Sequence, residues 1–248
     1  MRGPTAGMFH VEHEFRRFIE ESGLAAMVDD RRLEKYSAFT ALVVEASTRF
    51  NLTGHKTPGD VFVDLVIGSI APLARLNVPR GTFVDIGTGA GVPGIPLAIL
   101  YPDLTGTLID SNAKKAAFVR DVIQQMELPN LTAICGRVEE IAHDRAHRGR
   151  YDWVLSRAFN ALYVTLELGA PLAGPQGRCY VYSRETFGSL PQEILAHARA
   201  LGLVPSTPDD YEHVLGCYDG LLFRKAARTP DRYPRRFTII KRDAQRIG

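Results

Sequence analysis

The chain has 248 residues, 45% of them hydrophobic and 23% charged, with a formal net charge of +2. These are globular values for one large α/β domain with extensions, and they exclude a uniformly polybasic binder, so any nucleic-acid footprint must be local. No apolar run reaches transmembrane length and no secretory signal is recognisable; with only Cys135, Cys179 and Cys217, widely spaced, a reducing cytoplasmic setting without disulfides or a zinc cluster is expected.

Residues 1–9 show no period. Phe15, Phe18 and Ile19 mark one face of a first helix, which Gly23 ends or loosens. Asp29 or Asp30 can cap a second helix with the stripe Leu33, Tyr36, Phe39, Val43, Ala46 and Phe50. Asn51-Leu52-Thr53-Gly54 breaks that pattern, and a third helix is expected from about Asp60 to Ala71, stopping before Pro72. These segments predict a small helical cap over residues 1–78, packed on a larger C-terminal domain.

That domain, 79–226, opens with Thr82 to Ile86, a short β-branched run that reads as a buried strand. Gly87, Gly89 and Gly91 come next at alternate positions, and then an amphipathic run. Strand, glycine turn and helix form a nucleotide-like cradle, where the backbone bends tightly and helix N–H groups are free. The turn is G-x-G-x-G, with Val92 where a dinucleotide fingerprint has its last glycine, and no Walker lysine is present. Asp85, two residues before the first glycine, suits a ligand carrying ammonium and sulfonium groups better than a pyrophosphate. Asp110, twenty-three residues after Gly87, ends the next strand and can accept from ribose hydroxyls. This pattern resembles the S-adenosylmethionine (SAM) methyltransferases.

Strands are expected near 82–86, 105–109, 131–135, 151–155 and 178–183, alternating with helices near 91–101, 113–127, 138–146, 160–170 and 188–201. Ser111 or Asn112 can cap the second of these helices. The alternation predicts a Rossmann-like parallel sheet with helices on both faces. Tyr211 to Cys217 and Leu221 to Lys225 flank Asp219-Gly220, a hairpin signal, so an antiparallel pair is expected to close the sheet. The tail, 227–248, continues a basic stretch that begins at Arg224. From 224 to 246 nine basic residues face two acidic ones, which suits either a phosphate backbone or a solubilising tail.

The exit of the fourth strand lines the methyl-acceptor pocket in this fold. It reads Asp152 to Phe159, without the Asn/Asp-Pro-Pro-aromatic box of amino-group DNA methyltransferases. Cys135 and Cys179 fall within predicted strands, where a buried cysteine is ordinary core and not a pyrimidine-attacking nucleophile. No Ser-His-Asp pattern or metal-ligand spacing is present.

The blocks Asp85 to Leu97, Asp110-Ser111 with Lys114, Lys115 and Phe118, Gly136 to Glu140, and Ser156-Arg157-Ala158 occur in this order, with Asn51-Leu52-Thr53 upstream and Tyr233 to Arg236 near the end. Together they resemble the bacterial small-subunit ribosomal RNA guanine-N7 methyltransferases, also called glucose-inhibited division protein B, from about Tyr36 to Arg236. The resemblance implies SAM as cofactor, with contacts at Gly87, Val92, Val138, Glu139 and Arg157, beside Asp85, Gly89, Gly91 and Asp110 from the motif itself. It implies small-subunit ribosomal RNA, free or in an assembling subunit, as partner. RNA contacts are expected at Asn51, Arg184, Arg235 and Arg236. No metal and no membrane partner are expected. Arg157 is the candidate for positioning, and Phe159 and Tyr163 for stacking on the acceptor base.

The chain departs from the family pattern at Asp64, Gly68, Ser69 and Ile70, at Ser183-Arg184, and at Phe237 to Lys241. These departures keep open a SAM-binding RNA or assembly module without catalysis; a small-molecule acceptor fits the basic tail poorly. Guanine N7 carries a free lone pair and no proton, so its methylation needs positioning and no general base. The absence of an obvious acid or base in the sequence agrees with that chemistry.

Overall fold

The computed structural model describes residues 6–76, 81–206 and 220–247. The helical elements are α1 (Ala6–Glu21), α2 (Asp30–Arg49), α3 (Pro58–Asp60), α4 (Gly68–Arg75), α5 (Gly94–Leu100), α6 (Ala113–Gln125), α7 (Val138–Ile141), α8 (Leu162–Gly169), α9 (Gln192–Ala200) and α10 (Phe237–Ala244). The strands are β1 (Gly81–Ile86), β2 (Leu104–Asp110), β3 (Leu131–Cys135), β4 (Tyr151–Arg157), β5 (Ala173–Tyr182), β6 (Leu203–Pro205) and β7 (Gly220–Lys225). They form one seven-stranded sheet in the order β3-β2-β1-β4-β5-β7-β6. β1 to β5 run parallel, and β7 lies antiparallel to both β5 and β6. This is the Rossmann-like methyltransferase sheet with its antiparallel closing pair.

Asp29 caps α2 by accepting from the Arg32 N–H, and Asn112 caps α6 by accepting from Lys114 and Lys115. Gly23 takes φ +75° just past α1. The buried stripe of α2 is Leu33, Tyr36, Phe39, Val43 and Ala46, as its three- and four-residue spacing requires. The same apolar cluster holds Phe62, Ile70, Phe83, Leu97, Leu108 and Trp153, so the N-terminal helices share a core with one face of the sheet. Tyr36 marks the junction: its hydroxyl donates to the Pro96 carbonyl at 3.1 Å from a fully buried ring.

One local expectation is corrected. The third helix does not stop before Pro72. It runs from α3 through a π-helical stretch, Val61–Ile67, into α4, with Pro72 inside α4. The proline is buried among apolar residues of the cap, and tertiary packing outweighs the helix-breaking tendency of its ring. The partner of β7 within the closing pair is Leu203–Pro205, with Leu203 opposite Lys225. The strand expected over 211–217 lies outside the described residues.

The second apolar cluster covers the other sheet face and includes Ile86, Leu166, Phe223, Tyr233 and Ile240. The tail is therefore packed: α10 lies against α8, with Ile240 buried.

Candidate cofactor cleft and its rim

The sheet order reverses between β1 and β4, because the chain leaves β1 toward β2 and β3 and returns on the other side. Such a reversal leaves a crevice at the carboxyl ends of the strands. A cleft of about 590 Å³ lies there, lined by Gly87, Thr88, Gly89 and Val92 of the turn, by Asp110 and by Val138 and Glu139, with Arg157 and Phe159 at and beyond the end of β4.

The turn needs its glycines for different reasons. Gly87 has φ +71°, and a Cβ there would fall 2.0 Å from the Phe159 ring. Gly89 has φ +57°, and a Cβ there would meet nothing closer than 3.9 Å, so its place is open cleft. Gly91 has φ +87°, and its Cβ would strike Ile95. Gly91 is set by packing against its own helix and is not among the residues lining the cleft.

Asp85 also stands behind the cleft wall. It is fully buried, and its Oδ2 accepts from the Thr88 hydroxyl at 2.6 Å and from the Gly94 N–H at 3.0 Å. Oδ1 is buried without a hydrogen-bond partner. Burial pushes the carboxyl up to about 7, against those two hydrogen bonds; nearby Asp110 adds to the rise and Arg157 opposes it. The acid expected to meet an ammonium directly instead ties the turn to the start of α5.

Asp110 does line the cleft. Its Oδ2 accepts from the Gly89 N–H at 2.9 Å and its Oδ1 from the Asn112 N–H at 2.8 Å. Each oxygen keeps a further lone pair, so the carboxylate can both fix the turn and accept from a ligand hydroxyl.

Arg157 reaches from the cleft to the cap. Its Nη1 donates to Ser69 Oγ at 3.0 Å and lies 3.4 Å from the Leu65 carbonyl, while its guanidinium stands over the Tyr182 ring at 5.7 Å. Ser69 in turn donates to Leu65 O, and Tyr182 donates to Ser69 O. After Arg157 the chain turns at Ala158, φ +50°, and brings the Phe159 ring back over Gly87. Tyr163, the other stacking candidate, belongs to the core: it stacks on His197 with centroids 3.7 Å apart and accepts from Arg235.

Asn51, Arg184 and Arg236 are exposed. Asn51 precedes Leu52 and Arg236 precedes Phe237, both cleft-lining, and Arg184 lies just past β5 on the same side of the sheet. Arg235 is placed differently. Its Nε and Nη2 grip the fully buried Glu167 at 2.9 and 2.7 Å, and its Nη1 bonds Asp243 at 2.8 Å. A guanidinium so engaged anchors the tail to α8.

Sequence reasoning missed His55, which also lines the cleft, as does Phe237, one of the positions that depart from the resembled family. Thr53 Oγ1 lies 2.9 Å from His55 Nδ1, and His55 Nε2 lies 2.9 Å from Asp64 Oδ2. A lone histidine in an aperiodic loop carries no pattern. The only available signal was Asp64, one of the positions that depart from the resembled family. Among the described residues, no group of three or more His, Cys, Asp or Glu could hold a metal ion.

A family model described as rRNA small subunit methyltransferase G (GidB) matches residues 32–201. The chain belongs to this family. A protein named ribosomal RNA small subunit methyltransferase G from Deinococcus deserti is 35% identical over 210 residues, covering 82% of this chain and 85% of the relative. The same name is carried by a Mycoplasmoides gallisepticum protein, 30% identical over 86% of this chain and 90% of its own length. A solved structure described as a SAM-dependent methyltransferase from Aquifex aeolicus has a TM-score of 0.50 at 13% identity, covering 69% of this chain and 94% of that one. At that identity the likeness concerns the fold alone.

The residues present fit SAM by their geometry. The place of a Gly89 Cβ is open cleft, an acceptor carboxylate stands beside it at Asp110, and a cation, Arg157, lines the same cleft from the end of β4.

Proposed function

We propose that this chain transfers a methyl group from SAM to N7 of a guanine in small-subunit (16S) ribosomal RNA, in the cytoplasm. The observation that carries the reading is the switch-point cleft with its open Gly89 position, in a chain of the methyltransferase G family. No helix among the described residues is long and apolar enough to cross a membrane.

In this reading Gly87, Gly89, Val92, Asp110, Val138 and Glu139 hold the cofactor, with Asp85 and Gly91 bracing the turn from behind. Residues 1–78 serve as a cap, 79–226 as the methyltransferase domain, and 227–248 as a tail that places Phe237 on one side of the cleft. When bound, SAM supplies an electrophilic methyl group on a sulfonium. The chain's residues supply placement. Arg157, held by Ser69, fixes a cation at the end of β4; Phe159 offers an apolar face to a flipped base; and Asn51, Arg184 and Arg236 offer polar and cationic contacts to RNA around the rim. With SAM so held, these residues would place the guanine N7 lone pair in line with its methyl group, and because N7 carries no proton no residue would need to act as a base. Positioning supplies most of the acceleration.

Mapping of N7-methylguanine in ribosomal RNA from cells with and without the gene tests the reading, together with methyl transfer to under-methylated small subunits. Transfer to N7 is expected. SAM binding without transfer to either free RNA or assembled subunits would favour the assembly-module alternative.

A further inference from the structure

A second cleft, of about 750 Å³, lies at the opposite end of the sheet. It opens at the N-terminal ends of β4 and β5 and the C-terminal end of β7. β4 is seven residues long, so roughly 20 Å separate it from the cofactor cleft at about 3.3 Å per residue. Six cations line it, Arg145, Arg148, Arg150, Arg224, Lys225 and Arg228, and no Asp or Glu is among the described residues of its wall.

Four of these, Arg145, Arg150, Arg224 and Arg228, are exposed. Arg228 is partly offset by Asp231 at 2.7 Å, and Arg148 has the same carboxylate at 3.7 Å. The two less exposed cations are held in place by neutral acceptors. Arg148 donates to the carbonyls of Ala142, Tyr233, Thr229 and Pro230. Lys225, buried, donates to the carbonyls of Ala170 and Leu201 and to the Thr229 hydroxyl. Burial pushes its ammonium down to about 8, as befits a charge without a carboxylate partner.

Two further observations single out this end of the sheet. Arg224 lies in direct register with Arg178 across the β5–β7 ladder. Like charges directly opposite one another destabilise a sheet, and an anion beside them relieves the repulsion. The bend between Gly174 and Gly177 also carries Gln176 at φ +61°, a conformation that costs a non-glycine residue energy and that persists where the surroundings hold it.

We propose that this cleft is a second anion site, taking phosphate groups at a point remote from the methyl-transfer site. Guanidinium forks from Arg145, Arg150 and Arg224 suit phosphate oxygens, which accept two parallel hydrogen bonds from one arginine. The groups come from the backbone of the RNA substrate or from a free polyphosphate. The RNA source rests on the proposed N7 methyl transfer to ribosomal RNA; the phosphate site itself does not.

The test uses the full chain with Arg145→Gln and Arg224→Gln combined, and the corresponding double lysine variant. Binding to small-subunit RNA is measured across a salt series, binding of inorganic tripolyphosphate by calorimetry, and SAM affinity in parallel. A loss of about tenfold in RNA affinity at low salt, with a log–log salt slope shallower by about two, supports the site with RNA backbone as its source. Unaltered RNA binding with lost tripolyphosphate binding supports it with a free polyphosphate as source. The lysine variant should restore most of either signal, because the charge is kept. RNA slope and tripolyphosphate binding both unchanged would overturn the proposal, as would an equal fall in SAM affinity, which would mark a general disturbance of the fold. None of these readouts uses methyl transfer, so failure of the N7 reading and failure of this site are seen separately.

Discussion

Arg235 closes on Glu167 through two parallel hydrogen bonds, Nε to Oε1 at 2.9 Å and Nη2 to Oε2 at 2.7 Å. The carboxylate, on α8, has no solvent exposure, and the arginine comes from the tail. Burial would raise the Glu167 carboxyl, but the hydrogen bonds from Arg235 hold it down to about 2, with His197 Nε2 also 3.3 Å from Oε2. The tail is thereby fixed with Phe237 at the cleft, helped by Arg148 on the Tyr233 carbonyl and His143 on the Pro234 carbonyl.

Breaking that pair leaves a buried charge alone. Arg235→Ala is expected to destabilise the chain by about 3–5 kcal/mol, and Arg235→Ala with Glu167→Gln by clearly less. Urea unfolding measures both. Faster amide exchange over Phe237–Ala244 should accompany the loss. A single variant within about 1 kcal/mol of the parent would show that the tail is held by apolar packing alone.

Gly89→Val places a branched side chain in open cleft space, where the nearest atom to its Cβ is 3.9 Å away. The left-handed backbone adds about 1–2 kcal/mol of strain, which a folded domain of this size tolerates. SAM binding by calorimetry should vanish while circular dichroism stays native. Parent-like affinity in a folded variant would move the ligand elsewhere.

Asp110→Ala removes both the acceptor for a ribose hydroxyl and the anchor of the Gly89 N–H. A charge-assisted hydrogen bond contributes about 1.5–3 kcal/mol, so SAM affinity should fall by about tenfold or more. Equilibrium binding within twofold of the parent would relieve Asp110 of both roles.

Arg157→Lys keeps the charge but loses the planar fork that faces Ser69 and lies over Tyr182. Misplacing a reacting centre by about 1 Å can cost on the order of a hundredfold in rate. Single-turnover transfer at saturating SAM should slow by that order, with stability changed little. A rate within threefold of the parent would remove Arg157 from the positioning role.

Asp85 gives stability a pH dependence of unusual sign for an acid. Its carboxyl value rises from 3.8 to about 7 on folding, chiefly through burial. Between those values the unfolded chain has released a proton that the folded chain retains, so this contribution to stability falls as pH rises through the window. Asp85→Asn keeps an oxygen to accept from Thr88 and Gly94 and has no proton to lose. Urea midpoints from pH 4.5 to 8 should show a flatter slope in the variant. Identical slopes would mean that Asp85 is ionised throughout.

Residue order alone was enough to locate six of the seven strands, all but Leu203–Pro205, with the glycine turn after β1, the acid ending β2, the caps at Asp29 and Asn112 and the family resemblance. Each is a local matter: a period of two or of four, a positive φ that only glycine adopts freely, a side chain that reaches an N–H two or three residues on. Which charged and polar groups line the cleft was decided by packing. Asp85 and Gly91 carry the motif but stand behind the wall, because one ties Thr88 to Gly94 and the other leaves room for Ile95. Arg235 and Arg236 are neighbours in a basic run, yet one grips a buried glutamate 68 residues away and the other is exposed. Arg157 finds Ser69 across 88 residues, and six cations gather around one cleft from two separate stretches of chain. Such partnerships leave no periodic trace. An arginine bound for solvent and one bound for a buried carboxylate carry the same charge in a sequence, and only the folded chain fixes the distance that distinguishes them.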